Sequence, residues 1–438
     1  QDVLVLEKLG RVGGMCRTIT EDYQSFDLGA NYLTPAYLET LKLAREYKMK
    51  RISERSPTAI KFPKGEGKEP YCIRSIWQAA TETHTCWELF KAALKYSWLR
   101  YKLWKVINPP GFRDISKRKD LCVDFETWLK ENDLLALKHL FEIPITIMGY
   151  GYLHQIAAPY ALKYMSLMTF IPMMIKVFPL TSWLPWPKRF KYGYQRLWEA
   201  VARDLNVRFN IDIKNIERKD DNIEITFTHE YQMLHEQKTT KEDKFRFDYL
   251  IVACPLESEL LDQLLDQDQK EKEAFQQTQA YSYCLTSFNV EFPDIPWEDQ
   301  LFATVPLTDM KTPWAITRQF EESTLMQFYS RVPLMKKDEP VEKQKKVEEE
   351  VVDNVKQFVE TLGGRIDKED EWHTYDRWPY FQHVTPEDMA DGFYDRLEDL
   401  QGHRRTFYTG GLMNFELVEQ IIAYNRHLVQ KHFPKVTQ

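Results

Sequence analysis

Three observations predict an α/β fold. The run Val3-Leu4-Val5-Leu6 ends in Glu7 and is followed by glycines at Gly10, Gly13 and Gly14, the pattern of a fully buried parallel strand running into a tight turn. A second apolar run, Asp248–Pro255, reads the same way. Near the end, Arg405-Thr406-Phe407-Tyr408 passes through Thr409-Gly410-Gly411 into a long helical pattern from about Glu416 to His432. With 438 residues the chain suits two or three domains. Hydrophobic residues at 43% and charged ones at 29% supply a core and exclude wholesale disorder.

Between those landmarks the elements follow in order. A short strand precedes Phe26-Asp27-Leu28-Gly29-Ala30-Asn31, and Thr34 to Tyr47 has helical apolar spacing. Thr81 to Trp104 is helical and strongly aromatic, and Pro109-Pro110-Gly111 breaks it. Another helical tract spans Phe125 to Leu140. Ile143 to Trp186 is dense in Met, Phe, Tyr and Trp and punctuated by prolines. Tyr194 to Leu205 reads as an amphipathic helix and Val207 to Ile213 as a strand. Asn222 to Thr228 and Lys244 to Val252 alternate like a β-meander. Tyr281 to Val332 reads as strands, and Glu342 to Leu362 as a solvated helix closed by Gly363-Gly364.

Composition removes several function classes. A net charge of -7 argues against nucleic acid as the main partner, which needs a basic footprint. The six cysteines form no C-x-x-C pair and read as reduced thiols rather than a disulfide framework or a zinc site. No H-E-x-x-H is present and no metal site is expected, and without a G-x-S-x-G the serine-hydrolase elbow loses its usual support. No leader pattern precedes the first strand and prolines interrupt the longest apolar stretch, so a cytoplasmic protein without a membrane span is expected.

Chemistry enters through the strand ends. A carboxylate at the tip of a strand in a dinucleotide-binding sheet accepts hydrogen bonds from ribose hydroxyls, and Glu7 has that position. Position alone serves equally for an ordinary strand-end glutamate. Gly13 and Gly14 let the backbone approach a pyrophosphate, or simply make a turn. The helix after Gly410-Gly411 offers N-terminal amides with partial positive charge, or simply docks on a sheet. The companion G-x-G-x-x-G is not found, since Gly65-Glu66-Gly67 lacks the third glycine and the strand.

Glu7 with Arg11-Val12-Gly13-Gly14, the Asp27–Ala30 stretch, Val207 to Ile216, Leu250–Pro255 and the Gly410-Gly411 helix occur in the order seen in the FAD-dependent amine-oxidase superfamily, which the chain resembles. Met148-Gly149-Tyr150-Gly151, Ala158–Tyr164, Tyr380–Asp388 and Gln401–Tyr408 are similar to segments of the flavin-dependent polyenoic fatty acid isomerases, the linoleate-isomerizing branch. The resemblance implies a Rossmann-like FAD-binding domain built from discontinuous segments and an α+β substrate-binding domain with a helical, aromatic-rich part. The FAD-binding segments would be 1–60, 191–255 and 396–438, the first without its opening strand and G-x-G-x-x-G. The substrate segments would be 61–190, largely helical, and 256–395, strand-rich with one charged helix.

By matching position, Glu7 would hold the adenosine ribose, and Gly13 and Gly14 would line the pyrophosphate with Arg17 close by. Ile213 would meet the adenine through its backbone; Gly29, Ala30 and Asn31 would approach the flavin; Gly411, Leu417 and Val418 would face its pyrimidine edge. Three departures stand out. Met15, not arginine, follows the glycine pair; Met148 and Met173 occupy positions that are aromatic in the isomerases; and Lys61 stands where an arginine grips the fatty-acid carboxylate. Tyr150 joins Met148 and Met173 in the expected channel wall.

The implied activity is a double-bond shift in a long-chain polyunsaturated acid, the flavin taking and returning a hydride. An oxidase or dehydrogenase of an amine or other lipophilic molecule, and a former flavoprotein surviving as a binding module, stay open beside it. So does peripheral contact with a membrane, while the oligomeric state is not legible.

Overall fold

The computed structural model describes residues 2–53, 57–61, 72–74, 76–181, 188–231, 239–293, 300–304, 313–320, 323–332, 334, 339–366 and 374–434. In chain order the elements that position the site are β1 (Leu4–Leu6), β2 (Thr18–Glu21), β3 (Gln24–Asp27), α1 (Leu38–Glu46), α2 (Cys86–Lys102), α3 (Ala158–Tyr164), α4 (Leu167–Val177), α5 (Gln195–Ala202), β4 (Asn206–Arg208) and β5 (Ile211–Arg218). They continue with β6 (Ile223–Tyr231), β7 (Thr239–Phe247), β8 (Leu250–Val252), β9 (Gln279–Glu291), β10 (Ala315–Arg318), β11 (Leu325–Val332), α6 (Val341–Thr361), β12 (Thr374–His383), β13 (Thr406–Tyr408) and α7 (Val418–His432).

Two parallel pairs carry the α/β character. β1 lies beside β4 with Leu4 opposite Asn206, and β8 lies beside β13 with Leu250 opposite Thr406. Each brings together stretches far apart in sequence, so the strands at both chain ends are anchored by the middle. β5, β6 and β7 form the expected antiparallel meander, with a register shift between Thr226 and Phe227.

The second part is an antiparallel sheet around β9, which pairs with β11 and β12, while β10 flanks β11. β9 is buried on both faces, and its alternation sends Cys284, Phe288 and Val290 towards α6 but Tyr283 and Leu285 towards Leu28. The charged helix packs through Val351, Val352, Val355, Phe358 and Val359. The helical part forms a continuous core from α2 through Tyr96, Phe125, Trp128, Phe141 and Phe170.

Several elements differ from expectation. The strand expected over Val207–Ile213 is two strands, because Asn210 turns the chain at φ 56°. The alternating run Lys244–Val252 is divided between β7 and β8, which belong to different sheets. The tract Phe125–Leu140 breaks after Glu131, where Asp133 takes φ 51°, and resumes at Lys138. The first aromatic helix starts at Cys86 rather than Thr81, because Thr85 and Glu88 form a reciprocal capping box. Within Ile143 to Thr181, a π-turn at Ile143–Ile147 is followed by irregular turns up to Ala157 and then by α3 and α4, with Pro172 inside α4. Residues 182–187, at the end of the aromatic-rich tract, and the Gly65-Glu66-Gly67 stretch lie outside the described residues.

Candidate cofactor and substrate site

Glu7 stands at the end of β1. Its amide donates to the Arg208 carbonyl (2.8 Å) and its own carbonyl accepts from the Ile211 amide (3.0 Å). The second stretch therefore fixes its backbone, while the half-buried carboxylate accepts from the Leu9 amide at 2.8 Å. Beyond it the chain turns through Gly13 (φ 105°) and Gly14 (φ 54°). The Cys16 amide closes onto the Gly13 carbonyl at 2.8 Å, and Trp198 of α5 stands beside Gly13. A Cβ on Gly14 would meet nothing within 4 Å, so bare backbone faces open space there. The Arg11 guanidinium spans the turn to the Gly14 carbonyl (2.8 Å). Arg17 forms an ion pair with Asp376 of β12, and burial raises the Asp376 carboxyl against that attraction.

The β2–β3 hairpin is clamped at buried Asp27. Its carboxylate accepts from the Thr18 hydroxyl (2.6 Å) and the Tyr194 amide (2.7 Å), and Gln319 bonds its backbone amide and carbonyl. This places Gly29 so close to the Met15 carbonyl oxygen that a Cβ would lie 1.8 Å from it. Only glycine fits. Ala30 then packs with Leu417 and Val418 around Cys16, Leu33, Tyr37 and Tyr194, and Asn31 is buried next to it. On the other side, Met148 packs with Leu28, Tyr283, Leu285 and Tyr329.

The Met148–Gly151 segment follows the π-turn, and its glycines are set against tyrosines. A Cβ on Gly149 (φ 85°) would lie 3.0 Å from both Tyr283 and Tyr380, and one on Gly151 2.9 Å from the Tyr281 hydroxyl. Tyr150 contacts the rings of Tyr164, Tyr380 and Phe415 at centroid distances of 5.2, 5.6 and 4.7 Å. Its hydroxyl donates to the Glu416 carbonyl (2.9 Å). Burial raises the hydroxyls of Tyr150, Tyr164 and Tyr380, so all three stay protonated.

At the far end, Gly410 takes φ 119° with nothing within 4 Å of a built Cβ. The helix expected from Glu416 begins at Val418, because Leu417 is extended. A Cβ on Gly411 would lie 2.1 Å from the Glu416 carboxylate, and burial pushes that carboxyl up to about 7. Glu419 turns instead to α1, accepting from the Glu39 and Thr40 amides at 2.9 Å each, a carboxylate at a helix N-terminus. Asn414 fixes the turn: it accepts from the Gly111 amide (2.9 Å), donates to the Gln420 carbonyl (2.7 Å) and receives buried Lys163.

The structure thus brings Ala30, Leu417 and Val418 into one cluster, while Leu28, on the other side of Gly29 in the chain, packs with Met148. Ile213 lies on the edge strand of the meander, opposite the register shift. Met173 occupies the buried face of α4 beside Phe170, within the same helical core as Tyr150. Lys61 ends a short strand, Pro57–Lys61, and its side chain lies outside the described residues. Sequence reasoning missed Glu416 and Tyr37; the available signal for Glu416 was a lone carboxylate between Phe415 and Leu417 directly after a glycine turn.

These residues fit a bound FAD. The bare left-handed backbones at Gly14 and Gly410 are cradles that a side chain would fill, and the half-buried Glu7 carboxylate at the end of β1 is of the kind that accepts from ribose hydroxyls. Comparisons agree. A family model described as flavin containing amine oxidoreductase matches residues 1–410. Among solved structures, a CLA-producing fatty acid isomerase from P. acnes superposes with a TM-score of 0.77 at 21% identity, covering 98% of this chain and 92% of that one. Putrescine oxidase bound to putrescine gives 0.61 at 14% identity, with 98% and 92% covered. Cyclohexylamine oxidase from Brevibacterium oxydans IH-35A gives 0.57 at 12%, with 98% and 93% covered. A sequence search of curated proteins finds no match. The glycine turns, the strand-tip carboxylate and the family match over residues 1–410 lead to one conclusion: the chain belongs to the flavin-containing amine oxidoreductases and takes FAD as its cofactor.

Proposed function

We propose that the protein is an FAD-dependent isomerase that shifts double bonds in a long-chain polyunsaturated fatty acid. The observation that carries this reading is the aromatic cluster at Leu28, next to Gly29 in sequence: Met148 and Tyr380 pack with Leu28, Tyr150 contacts the rings of Tyr380 and Tyr164, and burial keeps the tyrosine hydroxyls neutral. Bound flavin supplies reversible hydride acceptance. The chain's own task is then to hold an acyl chain in register, exclude water and offer polarisable groups where charge develops.

In this reading Glu7, Gly13, Gly14, Arg17 and Ile213 hold the adenylate half of the cofactor, and Gly29–Asn31 with Gly411, Leu417 and Val418 its ring half. Met148, Tyr150 and Met173 line the acyl channel, and Lys61 receives the carboxylate. A lysine does so as a hydrated point charge rather than a fork, which suits a less selective grip. The fold shared with the P. acnes isomerase supports the proposal, and the fold shared with putrescine and cyclohexylamine oxidases supports the alternative of amine oxidation.

Anaerobic incubation of the flavin-loaded protein with linoleate tests the choice. A conjugated diene formed without oxygen or added acceptor is the expected result. Turnover that requires oxygen, or peroxide released from an amine with linoleate inert, assigns the oxidase instead. Protein that takes up no flavin overturns both.

A further inference from the structure

Helix α2 is apolar on two sides. Leu89, Ala92 and Tyr96 face the core, while Trp87, Phe90, Leu94, Trp98 and Tyr101 recur at intervals of three and four along the outward face. With Trp104 they are between 45% and 69% exposed. The next helix in space repeats this: α4 joins α2 through Tyr96 and Phe170, whose rings are 4.5 Å apart. Its outward residues Ile171 and Ile175, with Phe178 and Leu180 beyond, are likewise exposed. Scattered apolar side chains on a surface need no explanation, but two neighbouring helices with exposed apolar stripes do.

The charges on α2 identify what covers it. From Cys86 to Lys105 the basic residues are Lys91, Lys95, Arg100, Lys102 and Lys105, against Glu88 as the lone acid, in a chain whose net charge is -7. Arg100 is buried and Lys95 pairs with Asp133 at 2.9 Å. Lys91 and Lys102 lie over Trp87 and Trp98, the latter at 3.4 Å from the ring centroid, and Lys105 is exposed. Lysine stems lying along tryptophan rings at the edge of an apolar stripe match the boundary between acyl chains and anionic headgroups.

We propose that the α2–α4 face docks the protein flat on an anionic lipid bilayer, the aromatic stripe entering the headgroup–acyl boundary and Lys91, Lys102 and Lys105 meeting lipid phosphates and carboxylates. Among the described residues no helix is long and apolar enough to cross a membrane, so the contact is peripheral. It goes beyond the reaction assigned to the flavin site and stands whichever lipophilic substrate that site takes.

The test is sedimentation of the flavin-loaded protein with phosphatidylcholine vesicles, with and without about a quarter phosphatidylserine. Binding to the anionic vesicles, a blue shift of tryptophan emission and weakening by salt are expected. W87S/F90S/W98S should lower binding by about tenfold or more with flavin absorbance retained. K91E/K102E should remove the preference for anionic vesicles, each lysine counting for roughly fivefold. Equal partition of the parent protein and W87S/F90S/W98S overturns the proposal. So does a stable dimer that W87S/F90S/W98S dissociates while vesicles capture neither form, which would make this face a self-interface.

Discussion

At Gly29 and Gly411 the same missing Cβ has different consequences. A methyl group on Gly29 would meet the backbone carbonyl of Met15, which has nowhere to go, whereas one on Gly411 would meet the tip of the Glu416 side chain, which has rotamers to use. Gly29→Ala should therefore destabilise the protein by about 3 kcal/mol or more, the upper range for overpacking, and purify without flavin. Gly411→Ala should fold and keep the cofactor. Thermal melts with flavin absorbance read both outcomes, and a flavin-loaded Gly29→Ala variant of parental stability would contradict the close approach. Gly29 was legible in sequence only as one member of a motif. What makes it irreplaceable is Met15, brought against it by the β2–β3 hairpin, and no local pattern reports such a contact.

Elements are tied to one another by a few buried polar groups. Arg218, at the end of β5, donates to Glu271 at 2.5 and 2.8 Å and to Asp266 at 2.7 Å, and Tyr408 of β13 donates to Glu271 at 2.6 Å. The Arg218 and Glu271 side chains are wholly buried, so the pair fixes the meander relative to the strand that leads into Gly410. Arg218→Met should cost about 3–5 kcal/mol, because it strands a buried carboxylate. Adding Glu271→Met should recover much of that loss, and denaturant titrations of the single and double variants measure the coupling. A double variant no better than the single one would show that the arginine acts through packing alone. Long periodic elements such as α6 were legible in the sequence, since a charged face and an apolar face specify each other. The division of Val207–Ile213 was not, because Asn210 adopts a positive φ and an apolar-alternating run does not announce that. The Arg218–Glu271 pair was equally hidden, its partners being brought together only by the folded chain.

For the molecule as a whole, two buried groups set opposing pH limits. His383 stacks on Phe381 with centroids 4.7 Å apart, and burial lowers it to about 4. Its folded value lies below the usual imidazole value, so the unfolded chain binds the proton first and stability falls as pH drops from about 6.5 towards 4, by up to about 3 kcal/mol. Glu416, raised to about 7, acts in the reverse sense: its folded value lies above that of the unfolded chain, so stability in the cofactor-free protein declines as pH rises from about 4.5 to 7. His383→Gln should flatten the acid limb and Glu416→Gln the neutral one, as measured by denaturant midpoints across pH. An unchanged slope in either variant would assign the dependence elsewhere. At this scale the α/β class and the family pattern were legible from ordered landmarks, Glu7 to Gly411. The aromatic stripe was legible as composition only, because whether Trp87 faces inward or outward depends on what packs behind α2.

The two parallel strand pairs have a consequence for biosynthesis. Leu4 waits for Asn206, and Leu250 waits for Thr406, 202 and 156 residues further on, so a nascent chain leaving the ribosome cannot complete either pairing until those long intervening stretches have been made. Such long-range closure is slow and leaves apolar strands uncovered meanwhile. The yield of active protein should accordingly depend on chaperone supply and translation speed more than on the strength of any one native contact.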